Sequence, residues 1–264
     1  MPDFVDTIYR YDGSYEGFLS AVFESHIRRE VPAGYLSGES DFIPLAPVRE
    51  IPTDPDRANR VTQGLLKKAG ARAEMLARLA FLTILSDKEI VIDRFIRFAL
   101  KTGPKISTMY SHEWVHPLET AVHHLQEEAH LLTGFLRFSD YDGVLAAVID
   151  PKNQVLPLLA PHFTDRFPRD VFLIFDRTHG TLLASVRGKY TITDGTGFAL
   201  PAPGENERQT RALWRRFFET IAIHGRENPT CQRTHLPLRY RGTMTEFLPT
   251  SPFSAGGQLP GHLL

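Results

Sequence analysis

Residues 127–163 read EEAHLLTGFLRFSDYDGVLAAVIDPKNQVLPLLAPHF, and their pattern decides the fold. The spacing predicts the end of a long helix, a break at Gly134 and a hairpin turning at Tyr141-Asp142-Gly143. A second helix is expected after Pro151. Apolar residues alternate through Phe135, Arg137 and Phe138 and run on over 144–149, which is strand chemistry, and Asp-Gly is a strong hairpin signal. Polar groups able to move protons or hold anions stand at the joints: Glu128, His130, Arg137 and His162.

Downstream, residues 155–167 fit a helix with Leu156, Leu159 and Phe163 inward. Residues 171–175 and 182–186 read as paired strands joined at Thr178-His179-Gly180, with another strand at 189–193. Upstream, 4–11 alternates as a strand, and Asp12-Gly13-Ser14 ends it and opens an amphipathic helix to about Arg29. Residues 31–52 read as a loop with one strand. Helices are expected over 55–69, 71–85 and 87–101, the first capped by Asp54 with Pro55 at its first position. The expected fold is α+β: a mainly antiparallel sheet flanked by the Ser14 and Arg208 helices, with an all-helical segment at 53–102. One domain is expected over 1–247, followed by a flexible Ser/Pro/Gly-rich tail at 248–264.

Composition bounds the function. The chain has 264 residues, 42% of them hydrophobic, and a formal net charge of -1, so a nucleic-acid surface has to be a local patch. A single cysteine, Cys231, excludes an internal disulfide framework. The N-terminal residues lack the apolar core of a signal peptide and no run reaches membrane-spanning length, so a cytoplasmic protein is expected. Neither a glycine-rich dinucleotide or phosphate loop nor a nucleophile elbow occurs.

A helix expected over 115–133 gathers His112, His116, Glu119, His123, Glu127 and His130 on one side. His116, His123 and His130 are seven apart, about 10 Å along a helix, too far to share one ion. Glu119 with His123 and Glu127 with His130 have spacings that can share an ion, which is the alternative to the favoured solvated polar face; no metal and no cofactor is assigned. Residues 208–241 hold eight arginines against Glu219 and Glu227, a local excess of six charges. Arginine without lysine favours forked contacts to phosphate. Trp214, Phe217, Phe218 and Ile221 mark the expected buried side of that helix. Arg137, Arg215, Arg216, Arg233, Arg239, Tyr240 and Arg241 are the candidate nucleic-acid contacts.

Four separated stretches carry a resemblance: Tyr11-Asp12-Gly13-Ser14-Tyr15-Glu16-Gly17-Phe18; Glu128-Ala129-His130 with residues 134–138; residues 159–163 with Arg166-Phe167; and Asn228-Pro229, Gln232-Arg233 and 237–240. Together, over about 4–247, the chain resembles a bacterial family of DNA metabolism proteins defined by the DUF4130 domain. The resemblance implies DNA repair or modification beside a radical S-adenosylmethionine partner. Some relatives continue into a uracil-DNA-glycosylase-like domain, so a protein of that kind is a further candidate partner. The family's late Pro-Lys-Arg-Tyr-Trp is Pro-Leu-Arg-Tyr-Arg here, losing a lysine and an aromatic. The resemblance supplies no catalytic residue. Two functions are therefore carried: a DNA-binding accessory protein, and an enzyme acting on a damaged base or phosphodiester through Glu128, His130 and His162. The second expects one site built from those residues with Arg137, Asp12, Ser14 and Glu16.

Overall fold

The computed structural model describes residues 3–38, 45–221 and 228–247. The expected tail at 248–264 lies outside them, as does Arg226. The protein is α+β and divides into two compact units, 1–127 and 128–264. No helix among the described residues is long and apolar enough to cross a membrane.

In the first unit, β1 (Asp3–Tyr11) is the centre of a three-stranded sheet. Helix α1 (Tyr15–Arg28) carries the chain back so that β2 (Glu30–Ser37) runs parallel to β1. A short β3 (Val48–Glu50) adds to the other edge, also parallel. Residues 31–52 thus supply one strand and complete another, where a loop with one strand was expected. Pro32 and Gly34 hide β2, since both weaken a strand signal, yet Val31 is buried and Pro32 pairs with Val5.

Three helices follow: α2 (Pro55–Lys68), capped by the Asp54 carboxylate; α3 (Ala71–Phe81); and α4 (Lys88–Thr102). The helix expected over 71–85 stops at Phe81. There the Lys88 ammonium takes the Phe81 carbonyl at 2.8 Å and the Thr83 hydroxyl takes that of Ala80, so the end carbonyls are satisfied without more helix. Helix α5 (His116–Phe135) then runs on into the second unit.

The second unit is built on a five-stranded sheet in the order β4-β5-β6-β7-β8. Its strands are β4 (Ser139–Tyr141), β5 (Val144–Ile149), β6 (Val171–Asp176), β7 (Thr181–Val186) and β8 (Lys189–Asp194). Three of its pairings are antiparallel, but β5 and β6 are parallel, because α6 (Leu156–Arg166) crosses between them. The sheet is therefore mixed, and the Ser14 helix packs on the first unit's sheet instead. The β4–β5 turn falls where expected: Asp142 and Gly143 both take positive φ, 53° and 88°, as a two-residue primed turn requires.

Residues 135–138 are not strand. Their apolar alternation has another cause: Phe138 packs edge-on against Phe163, Phe167 and Phe172, at ring separations of 5.4, 5.3 and 5.8 Å. Helix α7 (Glu205–Ile221) also departs from expectation. Its inward side is polar, with Glu207 buried and bonded to Arg211, whereas Trp214, Phe217, Phe218 and Ile221 are exposed. Two short helices, α8 (Pro229–His235) and α9 (Leu238–Arg241), complete the described chain.

The opening motif is explained by one close approach. Asp12 accepts the Ser14 N–H and hydroxyl at 2.9 and 2.7 Å and the Thr53 hydroxyl at 2.7 Å, while the Ser14 hydroxyl caps Gly17 N. A Cβ on Gly17 would lie 2.1 Å from Asp12 Oδ1 and 2.8 Å from Thr53 Oγ1. Burial alone would raise the Asp12 pKa, but the Ser14 and Thr53 hydroxyls outweigh it and hold the carboxyl below its ordinary value. Gly17→Ala should therefore expel the Asp12 side chain and cost about 1–2 kcal/mol. Because the two changes break the same bonds, Asp12→Ala on top of it should cost little more, which a double-mutant melting series will read.

A second carboxylate gives a pH dependence. Tyr9, its hydroxyl pushed up to about 12 first by burial and then by Glu30, donates to Glu30 Oε2 at 2.7 Å, and Arg49 pairs with the same oxygen. The Tyr9 hydrogen bond, with Arg49, holds Glu30 below the usual carboxylate range. Such a group stabilises the fold above its unfolded pKa, and that contribution is lost as pH falls through the lower folded value. Glu30→Gln should destabilise at pH 7, and the gap from wild type should close as pH drops below about 4, measured by denaturation at each pH.

Candidate nucleic-acid interface

Glu128 is 3% exposed, near the end of α5, and a buried carboxylate must be met by donors. It accepts Lys152 N at 3.0 Å, Asn153 N at 2.9 Å and Asn153 Nδ2 at 2.7 Å, and Arg239 of α9 lies 3.1 Å away. All four donors offset the cost of burying the carboxylate. The carboxylate thus ties the α5 end to the turn after β5 and to the late motif.

Arg137 does the same in the opposite sense. Its guanidinium meets Glu246 at 2.8 Å and takes the carbonyl of Gly134, one of the orphan acceptors at the α5 terminus. Between the two ion pairs the Phe135 and Tyr240 rings pack at 5.2 Å. Arg239 bonds the Tyr240 hydroxyl and covers its ring at 4.5 Å. Central and late motifs are two sides of one interface.

The candidate residues separate accordingly. Glu128, Arg137, Arg239 and Tyr240 are brought together as structural partners. Arg215 donates to the Thr245 carbonyl at 3.3 Å, and Arg241 lies over the Phe247 ring at 5.0 Å. Arg216 and Arg233 are exposed, and no acidic partner of either is found among the described residues. His130 and His162 are both exposed, His162 against the neighbouring Phe163 ring at 4.9 Å. Asp12, Ser14 and Glu16 belong to the first unit, where the Asp12 carboxylate accepts the Ser14 N–H.

The histidine-rich side of α5 has prosaic partners. Glu119 is held by Arg72 at 2.9 Å, and His123 by Glu127 at 3.2 Å. No group of three potential metal ligands is found among the described residues.

One polar cluster escaped the sequence reading. Asp176, fully buried at the carboxyl end of β6, accepts Thr178 N and His179 N and lies 2.6 Å from His179 Nδ1. Next to it in sequence, Arg177 clasps Asp150, the residue following β5, at 2.8 Å. The signal was the Asp-x-Thr-His-Gly spacing, an Asx turn with a histidine in its third place.

A mixed sheet carrying a parallel crossover, joined through paired carboxylates and arginines to a short helical C-terminal segment, defines the class of domain. Residues 86–246 match the family described as a domain of unknown function, DUF4130, and since this is more than half of the chain, the protein belongs to that family. The match takes in the central and late motifs and starts beyond the opening one. No curated protein matches the chain.

Removing either partner of the Glu128–Arg239 pair should destabilise the protein. Arg239→Ala leaves Glu128 with neutral donors only and is expected to cost about 2 kcal/mol, less than a fully buried pair because Arg239 keeps 38% of its side-chain surface in water. Glu128→Gln keeps the shape but loses the charge. In a double-mutant cycle, read by urea denaturation, the two changes should couple by about 1 kcal/mol; independent effects would remove the pair from the account.

Proposed function

We propose that the protein binds DNA through arginines of its C-terminal unit and serves as an accessory to a partner enzyme, a radical S-adenosylmethionine protein being the partner that the resemblance implies. The observation that carries this reading is the division among the arginines. Arg137, Arg211, Arg215 and Arg239 are engaged inside the unit, whereas Arg216 and Arg233 face solvent with no carboxylate partner among the described residues. A guanidinium that no acid neutralises is a ready phosphate contact. The accessory reading is also favoured over direct acid–base chemistry, since Glu128 already has a full set of donors and both histidines lie in the open.

Arg216→Ala and Arg233→Ala should each weaken DNA binding and flatten the dependence of log affinity on log salt by about one unit. Their melting temperatures should stay near wild type, while Arg239→Ala should lower its own. Fluorescence anisotropy across a salt series reads the slopes. Unchanged slopes in both exposed-arginine variants would remove the reading, and co-purification from cells carrying a tagged chain tests the partner.

A further inference from the structure

The chain has seven lysines, and four of them, Lys67, Lys68, Lys101 and Lys105, come together at one end of the helices of the first unit. Helices α2 and α4 put them there. A Cβ on Gly64 would lie 3.7 Å from Leu100 Cδ2, and one on Gly103 would lie 3.5 Å from the Lys68 carbonyl oxygen. The residue numbers rise together along the two helices, so α2 and α4 run side by side in the same direction and finish at the same end. Lys67 and Lys68 close α2, Lys101 stands in the last turn of α4, and Lys105 follows in the short helical turn Gly103–Thr108. All four are exposed.

Helix ends attract lysines, so the dipoles have to be weighed first. A helix C-terminus carries roughly half a negative charge, and two such ends together offset about one lysine of the four. No acid takes up the rest among the described residues. The ion pairs of this unit start from arginine or histidine, as in Arg57 with Glu24 and Asp54 or Arg72 with Glu119, and none of those found includes a lysine. The acids of α2 and α4, Asp56, Glu89 and Asp93, stand in the first halves of their helices, away from this end. Glu113, the first acid after Lys105 in the sequence, is exposed and pairs with none of the four.

An excess of about three positive charges therefore faces solvent in a chain whose net charge is -1. Neither 64–68 nor 101–105 holds an aromatic residue to stack on a base, and Leu66, 36% exposed, offers little apolar surface to a bilayer. Ammonium groups on flexible stems meet phosphate as point charges, and several of them reach a dense phosphate array at once. We propose that the joint C-terminal end of α2 and α4 is a second nucleic-acid contact, which holds the phosphate backbone without regard to sequence. This rests on the DNA-binding reading above and adds a contact carried by the first unit.

Fluorescence anisotropy of a labelled duplex across a salt series tests it. Lys67→Gln with Lys68→Gln, and Lys101→Gln with Lys105→Gln, should each flatten the slope of log affinity against log salt by about one to two units, at wild-type melting temperature. Lys152→Gln with Lys189→Gln removes the same charge from exposed lysines elsewhere and should leave the slope unchanged. Arginine at all four patch positions should keep the wild-type slope, which separates loss of charge from loss of fold. Wild-type slopes in both patch variants, with flattened slopes in Arg216→Ala and Arg233→Ala, overturn the patch and leave the C-terminal reading standing. Flattening in the patch variants alone keeps the patch and removes the C-terminal arginines. Equal flattening by the Lys152 and Lys189 control assigns the effect to net charge and overturns the patch. Binding to phosphatidylserine vesicles but not to the duplex assigns the lysines to a membrane and overturns the proposal, and binding to neither overturns both readings.

Discussion

A buried carboxylate is costly unless every lone pair is met, and the second unit depends on how that is done at Glu128. The side chain leaves α5 about two turns before its end, and it collects donors from a turn 24 residues on and from a helix more than a hundred residues on. The donors from Lys152 and Asn153 tie the connection between β5 and α6 to α5. Without Arg239, the short α9 has no charged tie to α5. One carboxylate thereby ties together a crossover and a C-terminal segment that contributes few apolar residues of its own.

The Arg137–Glu246 pair repeats the device with charges exchanged, Glu246 being the buried partner at 2% side-chain exposure and Arg137 the half-buried one. Two ion pairs of opposite direction flank the Phe135–Tyr240 contact. This arrangement gives register more than raw stability: swapping a buried pair for apolar groups is often neutral, but a pair that must meet a complementary pair excludes slipped dockings. Arginine suits both places, because its fork can meet a carboxylate and a carbonyl together, as Arg137 does with Glu246 and Gly134.

Legibility in the sequence followed the range of the forces involved. Local signals were readable: the Asp54 and Ser14 caps, the Asp142-Gly143 turn, the helices at 55–68 and 156–166, and the strands at 171–176 and 181–186. The mixed α+β class followed from them. Long-range choices were not. Whether β5 pairs with β6 parallel or antiparallel is set by the α6 crossover, and strand periodicity is identical in both cases. β2 was hidden by a proline and a glycine that a parallel strand beside β1 tolerates. The alternation at 135–138 was real, but an aromatic cluster produced it and not a pleat. Of the candidate site, the family motifs were legible as motifs, and their partners were not, since no pattern within residues 127–138 announces an arginine at 239 or a glutamate at 246.

Helix α7 shows why amphipathicity alone does not give the buried side. Its apolar stripe satisfies every periodicity test for a core-facing helix. What overrides that signal is the segment against which it lies: Ser139 and the Asp140 N–H near the β4 edge, and the Thr245 carbonyl, all present polar atoms. A helix meeting a polar strand edge does best with side chains that donate and accept, and Glu207, Arg211 and Arg215, each four residues apart, supply them along one line. Leu213, Phe217 and Ile221 are left on the outer side, with Trp214 and Phe218 nearer the polar line, where Phe218 packs on Phe247 at 5.6 Å. The same edge-capping that keeps β4 from pairing with another strand thus leaves an apolar row at Leu213, Phe217 and Ile221 in water, so the exposure of that row is a consequence of how the sheet ends.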